Sequence, residues 1–157
     1  MMIRHEKAGG GTATIFWKTI GTGGDYADVQ AMLTAGFYRG VMISNVTEDS
    51  NITPDANGLW LHLNGYILTM AAFQFIPSTA CTITVVGNGF ASEIDYTQTV
   101  NDEECFDTGV NTTVVLYFNN FKFDNNSTGT GCLLAKGTSI HYISDLLYEL
   151  PNKALSG

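Results

Sequence analysis

The sequence predicts an all-β chain, a short single-stranded right-handed parallel β-helix of about five to six coils with an N-terminal capping α-helix. Three observations support this prediction: many short apolar runs separated by turn residues, a strand–turn pattern that returns about every two dozen residues, and one amphipathic helix near the start. With 157 residues, the chain is long enough for one domain with a buried core. We predict a flexible arm at 1–11, the β-helix domain at 12–150 and a tail at 151–157.

The first predicted elements are a strand and a helix. The segment "TATIFWKTI" (Thr12 to Ile20) is β-branched and aromatic, which favours a strand. The stretch "GTGGDYADVQAMLTAG" that follows predicts a helix over 25–35, with Asp25 as its N-cap and Gly36 at the position that ends it. An apolar stripe at helical spacing, formed by Val29, Met32 and Leu33, has to pack on an apolar surface.

A glycine-rich turn before a helix is also how phosphate-binding loops are built. Such a loop needs Gly-Lys-Ser/Thr at the helix start, whereas here the helix begins Gly24-Asp25-Tyr26. The carboxylate would repel an anion, and Tyr26 takes the place of the last glycine of a dinucleotide fingerprint. The motif is therefore interpreted as structural.

The repeat is an apolar strand, a turn residue of the Asn, Asp or Gly type, and a second apolar strand. It is centred on Asn45, Gly65, Asn88, Asn120 and Asp145, at spacings of 20, 23, 32 and 25 residues. Stacked coils of this kind place each strand about 4.8 Å from its copy, and turn residues can hydrogen-bond along the stack. The long third interval contains "TQTVNDEE" (97–104), which we expect to leave one coil as a loop.

Two further expectations follow from the repeat. Cys81, Cys105 and Cys132 recur at nearly the same interval, so they are expected to form an inward ladder of reduced thiols, one in each coil. The helix at 25–35 is expected to seal the N-terminal end of the column, where an open sheet edge would invite pairing. The C-terminal end has no matching lid, and a partner, a sister chain or the last few residues would cover it.

Composition narrows the classes of partner. Charged residues make up 14% of the chain and the formal net charge is −8, so no basic patch is expected for nucleic acid. No apolar run is long enough for a membrane helix, and no secretion signal is visible at the start. So little charge favours a surface that is partly covered in an assembly.

The segment "TIGTGGDYADVQAML" resembles the N-terminal signature of right-handed parallel β-helix proteins of the pectate-lyase and pectin-esterase type, and "ITVVGNGFAS" resembles a strand-turn of the same superfamily. The likeness covers roughly Ile15 to Ala91, with looser coils to about Leu150. It implies the fold and leaves two branches for function: enzymes on polysaccharides, and tailed-phage proteins such as tailspikes and fibres. The low charge, the few coils and the absence of an export signal favour the phage branch.

A glycosidase of this fold needs two carboxylates about 5 to 9.5 Å apart, and a lyase needs a basic residue beside a bound cation. The only later basic candidates are Lys122 and Lys136, and neither lies in a recognisable motif. We interpret the acids near the long loop as solvated; they are Glu93, Asp95, Asp102, Glu103, Glu104 and Asp107.

The sequence gives little support for other types of functional site, such as a zinc site or a serine nucleophile. The histidines His5, His62 and His141 are far apart and without zinc-ligand spacing, and no G-x-S-x-G elbow occurs. A sugar-stacking platform is weighed against aromatic ladders between coils, and ladders are favoured; the residues concerned are Trp60, Tyr117, Phe121 and Phe123. We predict no catalytic residue, no cofactor and no metal, and leave open whether the loop at 97–104 binds a metal or a glycan.

The sequence thus favours a non-enzymatic structural protein of a tailed-phage or prophage particle, as a fibre or spike module or a capsid decoration. The expected unit is a homotrimer that is made in the host cytoplasm and located in the virion. Its expected partners are other virion proteins, and a host surface glycan is a further candidate ligand. Two alternatives stay open: a polysaccharide lyase or hydrolase of the β-helix fold, and a glycan-binding receptor module without catalysis.

Overall fold

Short strands dominate the chain. The structure is a computed structural model that describes residues 2–4, 14–99, 104–109, 113–128, 133–136 and 139–149. These residues form one helix, α1 (Val29–Thr34), and thirteen strands: β1 (Met2–Arg4), β2 (Thr14–Phe16), β3 (Lys18–Ile20), β4 (Arg39–Met42), β5 (Val46–Thr47), β6 (Leu59–His62), β7 (Ile67–Ala71), β8 (Cys81–Val86), β9 (Glu93–Tyr96), β10 (Glu104–Asp107), β11 (Val114–Asn125), β12 (Leu133–Lys136) and β13 (Ser139–Glu149).

From β3 onward every strand pairing is parallel, and the chain forms a β-solenoid of about five turns. The first face stacks β3, β4, β6, β8 and the first halves of β11 and β13. The second face stacks β5, β7, β9 and the second halves of β11 and β13. The third face is marked by bridges at Ile52, Phe75 and Phe106 and by the pairing of β10 with β12. The predicted parallel, all-β coil architecture is confirmed.

The corner between the first and second faces contains the predicted turn residues. Asn119 pairs with Ser144 and Phe121 with Leu146, so Asn120 and Asp145 occupy equivalent positions, and both are left-handed with φ of 57° and 50°. Asn88 lies at the same corner one coil earlier, where the Gly89 N–H donates to Asn120 O at 3.0 Å. Asn88 Nδ2 donates to Asn64 Oδ1 at 3.0 Å, so the predicted stacking of these corners is confirmed.

The core is a set of apolar columns that run along the solenoid. On the first face Leu61, Val85 and Phe118 share one register column and are at most 1% exposed. On the second face the buried column is Leu68, Ile94 and Phe123. On the third face, Phe75 stacks on Phe106 with ring centroids 4.3 Å apart. One coil is too thin to bury a side chain, and stacking supplies the missing cover.

The helix is shorter than predicted, because its N-cap is Asp28 and not Asp25. The Asp28 side chain accepts from the Ala31 N–H at 2.6 Å, whereas Asp25 accepts from the Thr19 N–H and hydroxyl, both at 2.9 Å. Asp25 therefore belongs to the turn that closes over β3, and the N-cap lies three residues later than expected.

The apolar stripe and the terminating glycine that were predicted for α1 are present. Val29, Met32 and Leu33 are buried, and Gly36 ends the helix with φ of 81°. The Phe37 N–H donates to Met32 O at 3.1 Å and the Gly36 N–H to Leu33 O at 2.8 Å, which is the Schellman arrangement.

The cysteine ladder is wrong for the two thiols that the structure describes. Cys81 pairs in register with Val114 on the first face, while Cys105 lies on β10 of the third face, so both belong to the same coil. The interval of 24 residues between them spans the long coil, and equal spacing does not give equal position when coil lengths differ. Cys132 lies outside the described residues.

Three segments bear on the predicted domain boundaries. Met2–Arg4, inside the predicted arm, forms β1 and pairs antiparallel with β2. Within the predicted loop at 97–104, Glu104 is the first residue of β10 and is buried, at 3% exposure. The tail at 151–157 lies outside the described residues, and the division into arm, domain and tail stays a prediction.

Candidate functional site

Charged side chains gather on the outside of the second face. Register places Glu93 beside Lys122, and Asp95 beside Asp124, in the two successive strands β9 and β11. The next coil adds Glu149 beside Asp124. Outward residues of parallel strands repeat at the strand spacing of about 4.8 Å, so these five groups form one charged patch.

Lys122 is the centre of an acid–lysine cluster, which we define as Glu93, Lys122, Asp124 and Glu149. Its Nζ lies 2.8 Å from Glu93 Oε2, 3.2 Å from Asp124 Oδ2 and 3.5 Å from Glu149 Oε2. The hydrogen bond to Glu93 is the main cause that raises the pKa of Lys122 above its ordinary value. An ammonium held this way keeps its proton at neutral pH.

The acids near the long loop, considered from the sequence as catalytic candidates, are divided between the second and third faces. Glu93 and Asp95 lie on the second face, where Asp95 Oδ1 accepts from Asn126 Nδ2 at 3.1 Å. Glu104 and Asp107 lie on β10 of the third face, where Asp107 Oδ1 accepts from the Gly109 N–H at 3.0 Å. Asp102 and Glu103 lie outside the described residues. The structure brings Glu93, Asp95 and Lys122 together and leaves Glu104 and Asp107 apart from them.

Metal ligation has no support in the described ranges, which contain no group of three or more His, Cys, Asp or Glu side chains placed to hold an ion. His62 and His141 occupy different register columns of the first face, since His62 aligns with Val86 and His141 with Leu116. Burial lowers the pKa of His62, so its imidazole is neutral at pH 7. His5 and the Lys136 side chain lie outside the described set.

The four aromatic residues considered as a sugar platform do not share a surface. Phe121 and Phe123 point inward and are fully buried. Trp60 and Tyr117 lie on the outside of the first face, in one register column with Thr84 between them. Tyr117 stacks on Tyr142 of the next coil at 4.6 Å and 7°, so their ring faces cover each other, as in an aromatic ladder. Trp60 packs edge-on against Trp17 at 5.2 Å, beneath the Arg39 guanidinium.

The outside of the first face carries no formal charge from the third coil onward among the described residues. We call this set the first-face surface; its members are Trp60, His62, Thr82, Thr84, Val86, Val115, Tyr117, Asn119, Ile140, Tyr142 and Ser144. The aromatic rings in it are well exposed, with Trp60 at 39%, Tyr117 at 42% and Tyr142 at 53%. In a chain of net charge −8, a first-face surface without charge beside a second face with five charges is a marked asymmetry.

The sequence reasoning missed this surface. Its signal was present, because Trp60, Thr84, Tyr117 and Tyr142 are separated by nearly the same intervals as the turn residues. Aligning the strands on Asn120 and Asp145 places Tyr117 and Tyr142 in one outward column, three residues before each turn residue. Thr84 lies four residues before Asn88, so strand register is needed to place it in that column. The parity of residues within each strand then separates outward from inward positions.

Comparison of the chain with family models, with curated proteins and with solved structures finds no match. Among the residues that the structure describes, no helix has the length and apolar character needed to cross a membrane.

Proposed function

We propose that this protein is a non-enzymatic structural module of a tailed-phage or prophage particle, a β-solenoid that assembles as a homotrimer and contacts other virion proteins. The observation that supports this proposal best is the first-face surface, which is uncharged and rich in exposed aromatic rings. Depletion of charge with enrichment of Tyr and Trp is typical of the core of a protein–protein interface.

The size of the surface limits the form of assembly. Four strands of four to six residues cover on the order of 350 Å² at ordinary strand spacing and rise. A standard interface buries about 800 Å² on each partner. The first-face surface therefore needs the adjoining corner, where Ile43 is 36% and Phe90 is 53% exposed. Three copies with this surface turned toward a threefold axis parallel to the solenoid would bury the face and the corner together.

The acid–lysine cluster supports the non-enzymatic part of the proposal. Its single cation is neutralised by three carboxylates from three successive coils, which joins those coils electrostatically. A lyase would need that lysine without its proton, and a glycosidase would need two of those carboxylates free to face a sugar. The cluster suits stability of the column better than either reaction.

Membership of the pectate-lyase-like superfamily and the role of α1 as an N-terminal cap are part of the same proposal. The parallel registers are compatible with the pectate-lyase-like resemblance, and crossover connections between parallel strands are right-handed in about 98% of cases. Helix α1 contacts the second coil through Glu48 and Gln30, as expected of a lid on the first coil. The virion location follows from the phage branch of that resemblance.

The mass of the purified chain in solution tests the proposal. Sedimentation equilibrium is expected to give a multiple of three chains, and Tyr117→Lys, which introduces a charge at the centre of the first-face surface, is expected to give a smaller particle. Thr47→Lys, at an exposed position on the second face, is the matched control and should leave the mass unchanged. A wild-type chain that sediments as a monomer at all concentrations would overturn the proposal.

Trp60 favours a second candidate, glycan binding without catalysis. Its ring is 39% exposed and lies between Trp17 and the Arg39 guanidinium, and an exposed indole beside a cation can stack on a sugar ring and bind its hydroxyl groups. A glycan array probed with wild type and Trp60→Ala tests this candidate. Binding that the Trp60→Ala variant loses supports it, and an array with no bound glycan counts against it. Release of reducing ends or unsaturated sugars would favour an enzyme instead.

A further inference from the structure

Strand β13 is the last strand of the solenoid among the described residues, and one of its edges is open within that set. Strand β13 is 11 residues long and pairs with β11 along one side, and no described residue pairs with its other side. Two of its inward register positions are exposed as well. Ile143 is 49% and Tyr148 is 37% exposed, whereas Phe118 and Phe123, their counterparts one coil earlier, are at most 1% exposed.

The opposite end of the solenoid is closed by hydrogen bonds. On the outer edge of β3, the Thr19 N–H donates to the Asp25 carboxylate and Thr19 O accepts from the Tyr26 N–H at 3.1 Å. The Gly21 N–H donates to Tyr26 O at 2.8 Å, which completes the bridge over this strand. A second copy that tried to stack head to tail would find these backbone groups already used.

We propose that β13 pairs antiparallel with β13 of a second copy of this chain across a twofold axis, so that two solenoids join end to end. The proposal does not depend on the trimer. The blocked edge at β3 excludes the head-to-tail contact that would generate an open filament, which leaves edge-to-edge contact between two equivalent ends. Such a contact is isologous and closes after two copies. It also satisfies the backbone groups of an edge that a stable protein otherwise has to protect.

The bend in β13 selects a register. Asp145 is left-handed, so Ile143 and Leu146 both take inward positions, as the buried Phe118 and Phe121 do in the strand below. An axis centred between Ser144 and Asp145 places Ile143 opposite the partner's Leu146. The same axis places outward Tyr142 opposite the partner's Leu147. Inward side chains then meet inward ones along both halves of the strand, which a shift of one residue would destroy.

Charge at the axis sets how strong this contact is. The Glu149 carboxylate already has a cation, Lys122 Nζ, at 3.5 Å. Asp145 lies beside the axis, so two copies bring two like charges close together, which weakens the contact. We therefore expect the end-to-end pairing to tighten when salt is raised or when the Asp145 charge is removed.

Sedimentation velocity over a range of concentrations tests the pairing with three variants. Ile143→Lys should halve the mass of the wild-type particle, and Asp145→Asn should lower the dissociation constant by about tenfold; Asn is tolerated here because Asn120 has the same conformation one coil earlier. Thr47→Lys is the control. Because Tyr117→Lys acts on the first-face surface and Ile143→Lys on the end, failure of the trimer and failure of the end contact are distinguishable.

A chemical readout complements the masses. In the Tyr117→Lys background, which removes the first-face contact, Ser144→Cys lies beside the proposed axis and should give a cross-linked pair with a short bismaleimide, whereas Thr47→Cys should not. An unchanged mass for Ile143→Lys together with no cross-link would overturn the proposal. Protection of the β13 amide hydrogens from exchange that does not change on dilution would also overturn it, since the edge would then be covered within one chain.

Discussion

The carboxylate of Glu48 accepts a hydrogen bond from the backbone N–H of Val29 at 2.8 Å, which joins the second coil to the first residue of α1. A second, longer contact of 3.4 Å reaches the Gln30 N–H. Glu48 is 2% exposed, so an acidic side chain is buried at the start of the helix that we propose as the lid. Its ionisation should therefore control how stable this end of the solenoid is.

The first prediction concerns pH. Burial raises the pKa of Glu48 from its ordinary 4.5 to about 7, against the opposing effect of the Val29 hydrogen bond. Since the folded state holds this proton more tightly than the unfolded state, the resulting stabilisation is complete below pH 4.5 and is lost as the pH rises through 7. This rise in the pKa of Glu48 corresponds to about 3 kcal/mol in the free energy of unfolding.

Urea unfolding of wild type and Glu48→Gln at pH 5, 6, 7 and 8 measures this effect. The wild-type free energy of unfolding should fall across the series, and the variant should show a flatter profile and greater stability at pH 8. Glu149→Gln, with its side chain 49% exposed, is the control and should keep the wild-type slope. Parallel profiles for wild type and Glu48→Gln would contradict the prediction.

The second prediction concerns two glycines with the same backbone conformation. Gly58 has φ of 73° and Gly65 has φ of 85°. A methyl group at Gly58 would overlap the backbone carbonyl of Thr82 in the next coil, whereas Gly65 faces open space. We expect Gly65→Ala to cost about 1 kcal/mol for the left-handed conformation alone, and Gly58→Ala to cost at least twice that. Equal losses in urea unfolding would show that coil spacing adjusts at this site.

The third prediction tests the corner between the first and second faces. Asn120 has φ of 57°, and β11 continues through it without extra turn residues, so the strand bends at this one position. Asn120→Gly should change the free energy of unfolding by less than about 1 kcal/mol, while Asn120→Val should cost about 2 kcal/mol, because β-branched residues avoid this region. Thermal or urea unfolding distinguishes them. A neutral Asn120→Val would mean that the bend does not need the left-handed conformation.

The fourth prediction concerns the thiols. Burial raises the pKa of Cys81 to about 11 and raises that of Cys105 well above its ordinary range. Because the thiolate is the reactive form, neither should be alkylated by iodoacetamide at pH 8 in the folded protein. Mass spectrometry of peptides labelled with and without denaturant gives the result. Rapid modification of Cys105 in native buffer would contradict it.

Sequence reasoning predicted turns well and positions between turns less well. Asn120 and Asp145 mark one corner, where both are left-handed; because left-handed backbone favours few residue types, their identity carries geometric information. The N-cap of α1 was assigned wrongly because two Asp residues three positions apart both suit that role. The contact of Asp25 with Thr19, which a linear sequence does not reveal, decides between them.

By itself, the sequence determined that short parallel coils stack into a column and that an apolar helix precedes them, since both follow from periodic patterns along the chain. Only the tertiary structure decided which side chains share a face. Because coil lengths differ, register depends on pairing between strands and not on distance along the chain. Lys122 therefore contacts Glu93 and Glu149, and Cys105 lies on a different face from Cys81. The uncharged first-face surface arises in the same way, from the stacking of residues that the sequence keeps apart.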